Sequence, residues 1–203
     1  GVLPQAKSRS KSKFSSILQM NVQEQVGFMD RLIKDLRGHR PVQYCLGEAC
    51  FMDLELYADE RVLIPRPETE ELVSWVLGIC KDQGSRVLDI GTGSGAIALV
   101  LSQARPDWKI TGIDNSLEAL QVANINASKY KLLVEWLCLD FLKDAHSLPG
   151  PWDIIVSNPP YVAENENDHL DLEVLKFEPL QALFAPGADP EIFYTVIARY
   201  AFE

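Results

Sequence analysis

From Asn21 onward, apolar residues recur at helical spacing. Val22, Val26, Met29, Leu32, Ile33 and Leu36 share one face, which predicts an amphipathic helix. Asn21 with Glu24 three residues later forms a capping-box pattern, and Gly38 followed by Pro41 stops the helix. One such helix cannot bury its own stripe, so it is expected to pack on the main domain or to belong to a larger helical unit. The period then drops to two. Met52, Leu54 and Leu56 alternate with Asp53, Glu55 and Tyr57, and Val62-Leu63-Ile64 follows. This predicts a hairpin over Phe51–Ile64 that turns at Ala58-Asp59-Glu60-Arg61. Pro65-Arg66-Pro67-Glu68 ends the returning strand and opens a helix carrying Leu72, Val73, Val76, Leu77 and Cys80, with Gly84 closing it. Arg66 and Glu68 read as an exposed pair at that helix start, worth little energy.

Strand and helix patterns alternate beyond Gly84. Strands are predicted over Arg86–Ile90, Trp108–Ile113, Leu132–Leu139 and Trp152–Ser157. Helices are predicted over Ser94–Gln103, from an N-cap at Ser116 to Ser128, and over Glu191–Ala201. That order implies an α/β fold, a doubly wound Rossmann-like parallel sheet with right-handed crossovers. Such a sheet normally continues, so the chain reads as C-terminally shortened, and its start at Gly1 rather than Met leaves the natural N-terminus open. Three parts are expected: residues 1–48 as a tail and helical segment, 49–66 as a hairpin linker, and 67–203 as the main domain.

The chain has 203 residues and a formal net charge of -10, so its mean field repels nucleic acid. Lys7, Arg9, Lys11 and Lys13 make the first residues locally basic, which reads as a flexible tail. Glu164, Glu166, Asp168, Asp171 and Glu173 form an acidic stretch, read as a solvated face before a docking surface or a lid. Cys45, Cys50, Cys80 and Cys138 form no C-x-x-C pair and the three histidines are scattered, so no metal site is expected. The cysteines read as buried thiols in a reducing cytosol. No signal peptide or membrane-spanning run is visible.

Val156-Ser157-Asn158-Pro159-Pro160-Tyr161 is the most informative stretch. Two consecutive prolines cannot donate to a sheet ladder, so the strand must stop at Asn158. The corner presents an amide, prolyl carbonyls and an aromatic ring at a strand's carboxyl end, where open α/β sheets bind ligands. Asp89-Ile90-Gly91-Thr92-Gly93-Ser94-Gly95-Ala96 joins the first of the alternating strands to its helix, a turn through which a ligand can approach free backbone N–H groups. It formally satisfies a dinucleotide fingerprint, which alone is a weak signal. Asp89, Asp114 and Asp140 each end a strand. Asp114 is placed for two ribose hydroxyls, and Asp140 for an adenine amino group with Phe141 beside it. NAD would bring an anionic pyrophosphate next to Asp89, whereas S-adenosylmethionine brings an ammonium and a sulfonium. The acid therefore favours the methyl donor.

Together these motifs resemble a class I S-adenosylmethionine-dependent methyltransferase acting on a planar nitrogen. Pro41-Val42-Gln43-Tyr44-Cys45-Leu46-Gly47-Glu48, Ile64-Pro65-Arg66-Pro67-Glu68-Thr69-Glu70 and Glu178-Pro179-Leu180 narrow the resemblance to the HemK/PrmC family, the protein-(glutamine-N5) methyltransferases of peptide-chain release factors. The resemblance implies S-adenosyl-L-methionine held by Asp89, Gly91, Thr92, Gly93, Gly95, Asp114, Asp140, Phe141 and Asn158. It implies a substrate, the glutamine of a Gly-Gly-Gln motif, held by Asn158, Pro159, Pro160 and Tyr161, of which Asn158, Pro159 and Tyr161 take part in catalysis. It also implies a cytoplasmic enzyme whose partner is a release factor, with no direct nucleic-acid or membrane binding. The competing readings are an adenine-N6 or guanine-N2 nucleic-acid methyltransferase, which would use the same corner, and a fragment that holds cofactor without turnover.

Overall fold

The computed structural model of the chain describes residues 17–163, 171–187 and 189–202. The basic tail, together with Glu164, Glu166 and Asp168 of the acidic stretch, lies outside the described residues. Helix α1 (Val22–Arg37) opens on the expected capping box: Asn21 Oδ1 accepts from Glu24 N–H, and the Glu24 carboxylate accepts from Asn21 N–H. It contributes no buried residue, and Val22, Val26, Met29, Ile33 and Leu36 of its stripe are exposed. A short α2 (Val42–Leu46) follows and buries Tyr44, whose hydroxyl donates to the Val62 carbonyl at 2.7 Å.

The hairpin is shorter than the alternation predicts and turns earlier. β1 (Ala49–Phe51) pairs antiparallel with β2 (Leu54–Leu56), and Met52 takes φ 49° in the tight turn between them. Phe51, Leu54 and Leu56 face the core, which fixes the register. Val62-Leu63-Ile64 is apolar for another reason than strand pairing. Val62 and Ile64 fill a small core with Tyr44, Ala58, Ala119 and Val122.

Beyond α3 (Pro67–Ile79) come β3 (Arg86–Ile90), α4 (Ala96–Ala104), β4 (Lys109–Asp114), α5 (Leu117–Tyr130), β5 (Glu135–Cys138), α6 (Phe141–Asp144), β6 (Ile154–Ser157), α7 (Leu172–Phe177) and α8 (Ile192–Phe202). The four later strands are all parallel and stand in the order β5-β4-β3-β6. β5 is shorter at its start than the apolar run suggests, because Leu132 N–H is taken by the Ala127 carbonyl at the end of α5. Alternation along β3 divides the core. Val87 packs with α3 and α4 on one face, and Leu88 and Ile90 pack on the other with Phe141 and with Val196, Ile197 and Tyr200 of α8. Gly112 in β4 lies under the Trp136 ring, and a Cβ there would stand 2.4 Å from the indole, so only glycine fits.

Asn126 of α5 is fully buried and joins three segments. Its Oδ1 accepts from Tyr57 N–H at 2.6 Å, and its Nδ2 donates to the Tyr57 and Ser94 carbonyls, each at 3.0 Å. The segment after the hairpin and the glycine turn are thereby fixed to one helix. The cysteines depart from expectation. Cys45 and Cys80 are half-buried and Cys50 and Cys138 exposed, because the last two sit on the outer side of the hairpin and at the end of β5, an outer strand of the sheet.

Candidate active site

The strand order reverses between β3 and β6. β3 leads outward through β4 to β5, and β6 then pairs on the opposite side of β3. The carboxyl ends of β3 and β6 therefore flank the switch point, where doubly wound sheets leave a ligand crevice. The Ser157 hydroxyl donates to the Ile90 carbonyl at 2.7 Å and locks the two strand ends together. A cavity opens there, walled by Gly91 and Gly93, Asp114, Asp140 and Phe141, and Asn158-Pro159-Pro160. Its lining also includes Arg61-Val62-Leu63 and Pro179, Gln181 and Ala182.

The glycine turn is shaped by backbone conformation. Gly91, Gly93 and Gly95 take φ of 71°, 54° and 81°, the left-handed region that disfavours side chains. Gly91 and Thr92 N–H both donate to the Ile113 carbonyl, which folds the turn onto the end of β4. Asp114 completes the hold, with Oδ2 accepting from Gly93 N–H and Oδ1 from Ser116 N–H, each at 2.9 Å. Each oxygen keeps a second lone pair for a ligand donor. Burial pushes the Asp114 carboxyl above the usual carboxylate range, opposed by those backbone N–H bonds.

Asp89 does not line the cavity. It is fully buried on the α4 side, where Oδ2 accepts from the Thr92 hydroxyl at 2.5 Å and from Ala98 N–H at 3.3 Å. Its Oδ1 finds no hydrogen-bond partner among the described residues. Burial pushes this carboxyl up from 3.8 to about 7, with Thr92 and Ala98 N–H opposing the rise and the nearby Asp114 adding to it. The folded chain therefore holds a proton that the unfolded chain has lost. The stabilisation is fully present below pH 3.8 and is lost as pH rises through about 7. Urea unfolding at pH 5 and pH 8 should show a larger loss of stability in the native chain than in Asp89→Asn; equal losses would contradict this.

The other predicted residues divide. Asp140 lines the cavity, yet it is already the N-cap of α6, accepting from Leu142 N–H at 3.1 Å, and it pairs with Lys143 at 2.7 Å. Phe141 is a buried wall, held edge-on against Tyr200 at 5.4 Å. Asn158, Pro159 and Pro160 all face the cavity. Thr92 and Gly95 stand behind it, within the turn. Tyr161 lies outside its wall with 56% of its surface exposed, so the structure does not place its ring against a bound amide.

Several contacts carry little signal in the sequence. The Glu178 carboxylate is almost fully buried and accepts from Ile64 N–H at 3.1 Å and from Arg66 Nη2 at 2.7 Å. Arg66 is thus tied to Glu178 and not paired with Glu68, and the chain just after Leu63 is clamped to the chain just before Pro179. Arg61 is the only cation on the wall among the described residues, and Asp59 holds its guanidinium through Nε and Nη2.

A doubly wound parallel sheet with a glycine turn after its first strand and acids at the ends of the next two is a Rossmann-like arrangement, the fold of class I methyltransferases. The chain belongs to the family described as methyltransferase small domain, which matches residues 73–178. It is similar to a release factor glutamine methyltransferase of Streptococcus pneumoniae, 45% identical over 184 residues that cover 88% of this chain and 64% of that protein. A protein of the same name from Lactococcus lactis is 43% identical over 173 residues, 85% of this chain and 63% of that one. The chain spans a little over three fifths of the length of these relatives. Among solved structures, the hMettl16 catalytic domain in complex with the MAT2A 3'UTR hairpin 6 shares the fold. It has a TM-score of 0.58 and 19% identity, covering 73% of this chain and 56% of that one.

Proposed function

We propose that this chain carries the site of a protein-(glutamine-N5) methyltransferase. It would transfer a methyl group from S-adenosylmethionine to the side-chain amide nitrogen of a release factor's Gly-Gly-Gln glutamine. The observation that supports this most is the meeting of Asn158-Pro159-Pro160 with Gly91, Gly93 and Asp114 in one cavity at the switch point. The relatives named above support the choice of substrate. The lining suits the methyl donor. Among the described residues, the carboxylates of Asp114 and Asp140 face the cavity, and the one arginine on its wall is neutralised by Asp59. Such surroundings favour a cation and disfavour a pyrophosphate.

When bound, S-adenosylmethionine supplies an electrophilic sulfonium methyl. Asp114 and the Gly91–Gly93 backbone would hold its nucleoside and amino-acid parts, with Phe141 as a wall. A carboxamide nitrogen is a poor nucleophile because its lone pair is delocalised into the carbonyl. Asn158 Oδ1 and the Pro159 carbonyl are acceptors that take its two N–H bonds and orient it. They also favour its pyramidalisation, so that positioning and fixed dipoles carry the rate. The methylated nitrogen is acidic and loses its proton afterwards, so no strong base is required beforehand.

Asp114→Ala removes the carboxylate that takes the ribose hydroxyls and loosens the turn. S-adenosylhomocysteine affinity measured by calorimetry should fall more than tenfold, in line with roughly 1.5–3 kcal/mol for hydrogen bonds to a charged group. Unchanged affinity in the folded variant would remove Asp114 from the site. The function itself is tested by offering radiolabelled methyl donor with release factor, DNA and RNA side by side. Label should appear on the release factor and vanish when its Gly-Gly-Gln glutamine is replaced. Label on DNA or RNA would favour the nucleic-acid reading, and binding without transfer would favour a cofactor-holding fragment.

A further inference from the structure

The Asn158 carboxamide has two ends, and only one orientation turns its oxygen towards a substrate amide. Its Nδ2 donates to Thr69 Oγ1 at 3.1 Å. Thr69 lies 89 residues earlier in the chain, in the first turn of α3, and is buried, with 9% of its surface exposed. On this geometry we infer that Thr69 is a positioning residue: its hydroxyl holds the nitrogen end of Asn158 and leaves Oδ1 as the acceptor facing the cavity. The inference rests on the function proposed above and adds a residue to that site.

Thr69 is itself firmly placed. Its N–H donates to the Arg66 carbonyl at 3.0 Å, and Pro67 at the first position of α3 presets the helical turn. Arg66 is fixed by the buried Glu178 carboxylate, which also takes Ile64 N–H. A connected path therefore runs from Glu178 through Arg66 and the start of α3 to Thr69 and the Asn158 amide. Pro159, next in the chain, is buried and sets the backbone side of the same corner. An amide free to rotate about its last torsion would spend part of its time presenting N–H groups to the substrate's N–H groups, a repulsive arrangement. The hydrogen bond from Nδ2 to Thr69 Oγ1 restrains that rotation before substrate arrives, and preorganisation of this kind acts on turnover more than on ligand affinity.

Thr69→Val keeps the shape and deletes the hydroxyl, Thr69→Ala deletes it with less volume, and Thr69→Ser restores it. Two readouts are taken on the full chain. The first is the side-chain amide pair of Asn158 in 15N-resolved NMR, which does not depend on activity. The Nδ2 group should show a high order parameter in the native chain and in Thr69→Ser, and a lowered one in Thr69→Val and Thr69→Ala. The second is methyl transfer to the release factor. There kcat should fall about tenfold in Thr69→Val, with S-adenosylhomocysteine affinity and substrate KM within about twofold of native, and Thr69→Ser should recover most of the rate. A rigid Asn158 amide in either folded variant lacking the hydroxyl overturns the inference. So does a native kcat in Thr69→Val. Should the native chain transfer no methyl group to a release factor, the proposed function is what fails, and the NMR comparison still decides the role of Thr69.

Discussion

Replacing Asn158 with alanine should lower methyl-transfer turnover by about a hundredfold or more, while S-adenosylhomocysteine affinity changes little. On the proposed function, the substitution removes one of the two acceptors for the substrate amide and leaves an N–H without a partner, which costs roughly 1–3 kcal/mol. Lost alignment of the nitrogen adds to this, and a hundredfold corresponds to about 2.7 kcal/mol. Cofactor affinity is expected to hold because the groups proposed to face adenosine, Asp114, Asp140 and Phe141, end β4 or follow β5, and none of them lies on β6. Asn158→Asp is the sharper variant. It keeps an acceptor but adds negative charge near a sulfonium whose positive charge disappears in the transition state. That charge stabilises the ground state more, so turnover should drop despite equal or tighter cofactor binding. Full activity in Asn158→Asp would show that acceptor geometry alone suffices. Loss of cofactor binding in Asn158→Ala as severe as in Asp114→Ala would refute the substrate role.

The second large effect concerns stability. Asn126→Leu should destabilise the fold by about 3 kcal/mol or more, because the Tyr57 N–H and the Tyr57 and Ser94 carbonyls lose their partner at a fully buried position. For a chain of this size that is a drop of roughly 6–12 °C in Tm. The damage should reach the cavity, since Ser94 belongs to the glycine turn and the chain from Tyr57 leads into the Arg61–Leu63 wall. Thermal unfolding followed by circular dichroism checks it, and a loss below about 1 kcal/mol would mean that repacking or water replaces the amide.

What the sequence discloses here is mostly what local chemistry dictates. The two prolines after Asn158 can only end a strand, the glycines after Asp89 can only form a turn, and β-branched runs mark β3, β4 and β6 closely. The hairpin is misread for a physical reason. Its turn at Met52 carries no Gly or Asn signal, and the apolar Val62 and Ile64 serve a core under the cavity and not a strand pair. Asp140 shows the limit of reading acids at strand ends: the same position that faces the cavity also caps α6 and pairs with Lys143. The contacts that hold the site together were not legible. Thr69 with Asn158, Glu178 with Arg66 and Asn126 with Tyr57 join residues 89, 112 and 69 positions apart, and nothing in the composition of either partner announces the other.

The measurement that goes most directly to the site is an NMR titration of the chain with S-adenosylhomocysteine, with NAD as the comparison ligand. The largest amide shifts should fall on Gly91–Gly93, on Asp114–Ser116 and on Asp140–Phe141, with a smaller response at Asn158, and NAD should bind more weakly. Shifts concentrated away from the ends of β3, β4 and β5, or tighter binding of NAD, would contradict a methyl-donor site at the switch point.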